Sequence, residues 1–407
     1  MFYQLNLREV TYALSEALDY VGIDDIKHGK RVAYIASEIA KKLGWRPSKI
    51  DTLIHAAMLH DCGVSSSTTH HNIVNNFDWE NSHIHSLKGS NALKQIPFYQ
   101  QFSPIIALHH THWKELSTNA SNEELHIMAN LIYLSDRIDA LRSQFGAHLW
   151  HEKEYIRTMI KKHASTFFEP NLCQAFIEIS HNDTFWYTLE SDPLHYYFTD
   201  WLEHGAIETV DFILLKNIAL MFAKLVKSKE GHCVHASTSI ASLARQLAKL
   251  CELSQRDQEE IELTALFHNL GALRIPDYLI RRSKGKLSEL EKIRLSRKGF
   301  DTHIILRQIK GFERIASIYA SYYQSINTQS ITCKVCEETL GVNAALLVIS
   351  HAYHTLISPN HRSHINTNTL TFILNKIGRS SHLEEYMIHR IHTYLQNFDQ
   401  NVAVCNA

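Results

Sequence analysis

The chain has none of the features that would tie it to a membrane or a polyanion. No apolar run approaches the roughly 18 residues of a bilayer span, and the opening MFYQLNLREV lacks the basic-then-apolar layout of a secretory signal. The expectation is a cytosolic protein that does not insert into membranes. Lysine and arginine (41) nearly balance aspartate and glutamate (42) without long like-charge runs, which excludes a basic face for duplex nucleic acid or a polybasic membrane patch. Any anionic substrate must be met locally, by metals and a few cations. Seven scattered cysteines are an odd count and form no disulfide framework. The one close pair, Cys333 and Cys336, has no second pair to complete a zinc site. Strand-like alternation bounded by turn residues is almost absent. Apolar residues instead recur at helical spacing over most of the 407 residues, so the expected fold class is all-α, with ample chain for more than one core.

Histidine is abundant, 28 in all, but its order says more than its number. His28, His60, Asp61, His85, His109, His110 and Asp136 form an ordered series of imidazoles and carboxylates on predicted helices, of the kind that holds two or more metal ions in a hydrolytic enzyme. Val32, Ile35, Ile39 and Leu43 continue the face on which His28 sits, so His28 points inward. Gly44 should stop that helix and Pro47 with Ser48 should start the next, whose buried face runs through Leu53 and Ala57 to His60. His109 and His110 end an apolar run, and Ile132, Asp136 and Ala140 share one helical face. A carboxylate on a buried stripe needs a partner. A bound cation would satisfy all of these groups together.

The second half repeats the first. HGKRVAYIASEIAKKLGW…LIHAAMLHDCG, from His28, aligns with HASTSIASLARQLAKLCEL…LTALFHNLG, from His235, and the interval to the next marked histidine is 32 residues in one and 33 in the other. Further on, His85 to His109 and Lys298 to Tyr322 both span 24 residues. Two tandem helical domains are expected, residues 1–205 and 206–407. Their chemistry differs: Asp61 becomes Asn269, His85 becomes Lys298, His109 and His110 become Tyr322 and Tyr323, and Asp136 becomes His351. Only His235 and His268 survive, too few ligands for a dinuclear site. The second domain, which keeps the stripe Ile240, Leu243 and Leu247, is expected to be non-catalytic, a packing partner or the contact of a homodimer.

At these residues the chain resembles the HD superfamily of metal-dependent phosphohydrolases, specifically its HD-GYP branch of cyclic-dinucleotide phosphodiesterases, over nearly its whole length. The first domain matches at His28, the His60-Asp61 doublet with Gly63, His85 to Gly89, the His109-His110 doublet, Asp136 within SDRIDAL, and FFEPNLCQAF from Phe167. In the second, HNLGALRIPDYLIRRSKGKLSELE is similar to the family's HD-I-G-K…IP-D-x-I-L segment. The first domain departs from the pattern. It has Val64 where the family usually carries a phosphate-contacting lysine, no GYP after HHTHW, and a polar stretch rich in Ser, Asn and His from Val64 to Ile84 in place of the usual loop.

The resemblance implies that Asp61 bridges two metals, one also held by His28, His60 and Asp136, the other by His85, His109 and His110. Some members hold a third metal with an acid one turn before the first histidine, a place that Asp24 occupies. Mixed imidazole and carboxylate ligands suit divalent Fe or Mn. Paired cations make a nucleophile from water at neutral pH, so the expected reaction is in-line hydrolysis of a 3′,5′ phosphodiester. The substrate expected is cyclic di-GMP or cyclic GMP-AMP, opened to a linear dinucleotide. Lys88 is a candidate to neutralise phosphate in catalysis, Arg137 and Arg142 flank Asp136 as further phosphate contacts, and Trp113 could stack on a base. His70, His71, His83 and His112 are placed in loops or behind the ligands. Two other readings stay open: an HD phosphohydrolase of another nucleotide or phosphate ester, and a signalling protein that binds a ligand without turnover.

Overall fold

A computed structural model describes residues 2–22, 27–118, 122–145, 149–230, 236–280, 287–327, 340–357 and 367–405. Asp24, His235 and the Cys333–Cys336 pair lie outside the described residues. The first half runs β1 (Phe2–Asn6), α1 (Leu7–Asp19), α2 (His28–Lys42), α3 (Pro47–Leu59), α4 (Ser67–Asn75), α5 (Ser82–Leu93), α6 (Ser103–Leu108), α7 (Trp113–Leu116), α8 (Glu123–Phe145), α9 (Leu149–Lys162), α10 (Pro170–Ile179), α11 (Asp183–Tyr187) and α12 (Ser191–Glu203). The second runs β2 (Ile207–Asp211), α13 (Phe212–Glu230), α14 (Ala236–Leu250), α15 (Gln255–Phe267), α16 (Asp277–Ile280), α17 (Glu289–Arg307), α18 (Glu313–Asn327), α19 (Val342–Ile357), α20 (Thr367–Arg379) and α21 (Glu385–Cys405). Among the described residues the chain is all-α apart from one two-stranded sheet. Among the described residues no helix is long and apolar enough to cross a membrane.

Local signals set the helix ends. Gly44, at φ +71°, closes α2: its N–H reaches Lys41 O and that of Trp45 reaches Ala40 O, the paired bonds that a glycine in left-handed conformation makes possible. Pro47 opens α3, where its missing N–H costs nothing. Val32, Ile35 and Ile39 are fully buried as their spacing requires, whereas Leu43, the cap residue of α2, is 37 % exposed. The polar stretch after Val64 is not a loop. Ser66 caps it by accepting from the N–H groups of Thr68 and Thr69, and α4 follows.

The duplication is visible in three dimensions. β1 and β2 each lead directly into a helix and each ends on a capping side chain, Asn6 accepting from Arg8 N–H and Asp211 from Leu214 N–H. The strands pair antiparallel with Phe2 opposite Asp211, Gln4 opposite Thr209 and Asn6 opposite Ile207. Equivalent strands therefore meet about a local two-fold axis. One continuous apolar core runs through both halves. Helix α1 is seated against the second half, with Glu16 accepting from Gln308 and Glu9 from Lys310 N–H, and the Arg274 guanidinium lies 4.9 Å from the Tyr20 ring centre.

Two glycines fix the register of the repeat. A side chain on Gly63 would overlap the carbonyl of His85, and one on Gly271 would overlap that of Lys298. In both halves the turn after the marked histidine is pressed against the equivalent point of α5 or α17. That contact survives in the second half although most of the ligands do not.

Candidate metal centre

Five elements bring the seven residues together. His28 is the first residue of α2, His60 and Asp61 follow the last turn of α3, and His85 lies within α5. His109 and His110 follow α6, and Asp136 sits mid-way along α8. His28 Nε2 is 3.3 Å from Asp136 Oδ1 and 3.8 Å from Asp61 Oδ2, and His60 Nε2 is 3.5 Å from Asp61 Oδ2. On the other side, His85 Nε2 is 3.2 Å from Asp61 Oδ1 and 3.3 Å from His109 Nε2. His28, His60 and Asp136 form one group whose ligand atoms lie within 4.8 Å of one another, and His85, His109 and His110 form another. Asp61 lies between them, grouped with His60 and His109.

The histidines are oriented from behind. His60 Nδ1 is 2.8 Å from Ala57 O and His109 Nδ1 is 2.7 Å from Ile106 O. A carbonyl only accepts, so each Nδ1 carries the proton and each Nε2 turns a lone pair inward. His28 Nδ1 is held at 2.8 Å by Asp139 Oδ2. Asp139 is fully buried and also accepts from Arg31 at 2.7 and 3.0 Å and from Arg142 at 2.8 Å. This carboxylate–imidazole pair is the support that metal-binding histidines commonly have. Asp139 was legible as the residue three after Asp136, on the same helical face.

Electrostatics shows what the cluster needs. Burial disfavours the Asp61 carboxylate, yet its imidazole neighbours His60 and His85 hold it well below the ordinary range, and Arg137 does the same for Asp136. Burial pushes His109 down to about 3, helped by His85 and His60, and His110 falls well below its usual value through burial and His109. Burial opposes a charge on His28 too, but its hydrogen bonds to Asp136 and Asp139 outweigh it and raise the group. Asp61 Oδ1 and Asp136 Oδ1 face the imidazole nitrogens of His85 and His28, at 3.2 and 3.3 Å, and His60 Nε2 and His110 Nε2 are buried without hydrogen-bond partners. Such groups normally find one. Inward lone pairs beside two anionic carboxylates fit divalent cations.

The remaining candidates are placed differently. Arg137 is fully buried and bonds within the protein: Nε and Nη2 reach Asp136 Oδ2, at 3.2 and 2.7 Å, and Nη1 meets Ile73 O and Asn76 O at the end of α4. It braces a ligand against a helix. Arg142 pairs with Asp139 through Nε, at 2.8 Å. Lys88 is exposed on α5, and Trp113 is half-buried at the start of α7, its N–H donating to Phe167 O. His71 and His83 are exposed, and His112 reaches Asp78 at 3.2 Å. His70 is different: its ring lies edge-on to His28 at 6.3 Å, and it lines a cavity with His28, His60, Asp61 and Asp19. Asp19, pushed up to about 7 by burial, accepts from Gly29 N–H and keeps Oδ2 unpartnered.

Residues 25–141 match the family model described as HD domain, and residues 220–377 match a second model with the same description. The chain belongs to the HD-domain family. This tandem HD-domain protein is 24 % identical over 365 residues to 3′3′-cGAMP-specific phosphodiesterase 1 of Vibrio cholerae serotype O1, covering 87 % of the chain and 83 % of that protein. It is 20 % identical over 241 residues to 3′3′-cGAMP-specific phosphodiesterase 3 of the same organism, covering 59 % of the chain and 51 % of that protein. A crystal structure of a cyclic GMP-AMP-specific phosphodiesterase from V. cholerae superposes with a TM-score of 0.63 at 17 % identity, covering 98 % of both chains. The fold is shared end to end, both HD domains included.

In the second HD domain the corresponding residues satisfy one another. Tyr322, where the first domain has His109, is buried and meets His351 Nδ1 at 2.6 Å. His268 keeps the orientation of His60, Nδ1 against Ala265 O, and burial with the nearby His351 pushes it down to about 3. No group of three potential ligands forms there among the described residues.

Proposed function

We propose that this HD-domain protein is a metal-dependent phosphodiesterase that opens a 3′,5′-cyclic dinucleotide to the linear form, with 3′3′-cyclic GMP-AMP preferred over cyclic di-GMP. One observation carries the reading: a preformed cluster of inward imidazole and carboxylate atoms, two of its imidazole nitrogens without partners, in a chain similar over most of its length to a phosphodiesterase named for that substrate. His28, His60 and Asp136 would hold one ion, His85, His109 and His110 another, and Asp61 would bridge them. Iron or manganese suits this donor set, and Asp24 is the candidate ligand for a third ion. Paired divalent ions supply a nucleophile from water at neutral pH and neutralise charge on phosphoryl oxygens.

The protein's own residues prepare that chemistry. Asp139 fixes the His28 ring, Ala57 and Ile106 fix those of His60 and His109, and Arg137 holds Asp136 ionised. Lys88 and Trp113 are the candidate contacts for phosphate and base. Residues 1–205 form the catalytic domain in this reading and 206–407 its non-catalytic partner, in a cytoplasmic enzyme. Chromatography of products from cyclic GMP-AMP and cyclic di-GMP tests it. Linear dinucleotide from the former at the higher rate, absent with Asp61→Asn, is expected. Turnover of neither would overturn the substrate class, and equal rates would overturn the preference.

A further inference from the structure

Helix α4 has little of its own to hold it in place. Ile73 is the one buried residue among its nine, and a helix this short is marginal in water. It is pinned from outside at both ends. At its C-terminal end Arg137 donates to Ile73 O and Asn76 O, and Gln144 to Val74 O. At its start the second domain takes hold. Asp277 Oδ2 accepts from Ser66 Oγ and Ser67 N–H, both at 3.0 Å, and Oδ1 accepts from Ser67 Oγ at 3.3 Å. Lys229, from the last turn of α13 and with no side-chain exposure, pairs with Asp277 at 3.2 Å and donates to Ser67 Oγ at 3.0 Å. A carboxylate at a helix start is also favoured by the helix dipole. Between the two anchors, His70 faces the cavity beside His28.

We propose that the second domain completes the first domain's active site: Asp277, seated by Lys229, is a positioning residue that fixes α4 so that His70 can donate a hydrogen bond to a phosphate oxygen of the bound cyclic dinucleotide. The inference rests on the proposed function for its substrate and on the Asp277–α4 contacts for its mechanism. It gives the second domain, where no group of three potential metal ligands forms among the described residues, a physical role, since the helix that carries His70 to the cavity beside His28 is anchored there.

The test uses the full chain with 3′3′-cyclic GMP-AMP as probe, and compares His70→Ala, Asp277→Ala, the double variant and the milder Ser67→Ala. His70→Ala should raise KM about 10-fold, the loss of one hydrogen bond to a charged group, with metal content unchanged. Asp277→Ala should raise KM to a similar degree and increase amide hydrogen exchange across residues 67–75. Because Asp277 acts through His70, the double variant should lose no more than His70→Ala alone. Ser67→Ala, which leaves the second domain's residues intact, should shift both readouts in the same direction by less. Multiplying effects in the double variant, or unchanged exchange in α4 with both Asp277→Ala and Ser67→Ala, would overturn the proposal. If the unaltered protein does not turn over the probe, the proposed function fails by itself. Exchange in α4 then still decides the clamp: lost protection supports it and unchanged protection overturns it.

Discussion

The two HD domains share a backbone plan and differ in how their centres are satisfied. In the first, His60 Nε2 and His110 Nε2 are buried with no partner, and Asp61 Oδ1 and Asp136 Oδ1 face the imidazole nitrogens of His85 and His28 within the cluster. In the second, Tyr322 and His351 bond to each other, and the buried carboxylates Glu260 and Asp301, outside that pair, are neutralised by arginines. An unsatisfied polar cluster costs folding stability unless something binds it. In the proposed reading, metal function shows as unmet hydrogen-bonding capacity, and its loss as side chains that close on one another. Gly63 and Gly271 keep the same close approach to α5 and α17 in both domains, so the scaffold outlasted the site.

The largest effect should come from making the first domain like the second. Asp61→Asn reproduces Asn269 and should lower kcat/KM for cyclic GMP-AMP roughly 10³-fold or more. Retained turnover would show that the bridging carboxylate is not needed. Asp139→Asn leaves the metal ligands themselves intact but removes the anion that orients His28 and pairs with Arg31 and Arg142. A fall of 10- to 100-fold in kcat/KM is expected, with a stability loss of about 3 kcal/mol in urea unfolding from the buried charges left uncompensated. Activity equal to that of the unaltered protein would mean His28 needs no support.

A smaller effect is a pH dependence that His268 shares with His109 of the first domain, which burial also pushes down to about 3. His268 sits at about 3 when folded, against about 6.5 in an unfolded chain. Below the unfolded value the unfolded state binds a proton that the folded state refuses. The stability is therefore fully present above about 6.5 and drains as pH falls towards 3, by on the order of 1 kcal/mol per unit. His268→Asn should flatten that acid limb in calorimetry, and an unchanged slope would place the loss elsewhere. The smallest effect is expected from Asn269→Asp. Restoring one carboxylate beside a closed Tyr322–His351 pair should add no metal, and a gain by elemental analysis would show the second centre to be open.

The all-helical class, the seven converging residues and the duplication were legible because each rests on short-range spacing: buried stripes at helical period, doublets at helix ends, matched intervals. The roles of Arg137, His70 and α4 were not. Arg137 looks in sequence like a cation beside an acid, but the carbonyls it binds lie about sixty residues earlier in the chain. The segment STTHHNIVN shows no apolar stripe because α4 is held by Asp277, Lys229 and Arg137 rather than by a buried face of its own. Long-range polar contacts leave no periodic trace in a single sequence.

Metal content per chain, in the unaltered protein and in His60→Ala and His268→Ala, tests the central contrast most directly. Two or more equivalents of iron or manganese, lost with His60→Ala and kept with His268→Ala, is the predicted result. No metal in the unaltered protein, or equal loss from both variants, would contradict the division of labour between the two domains.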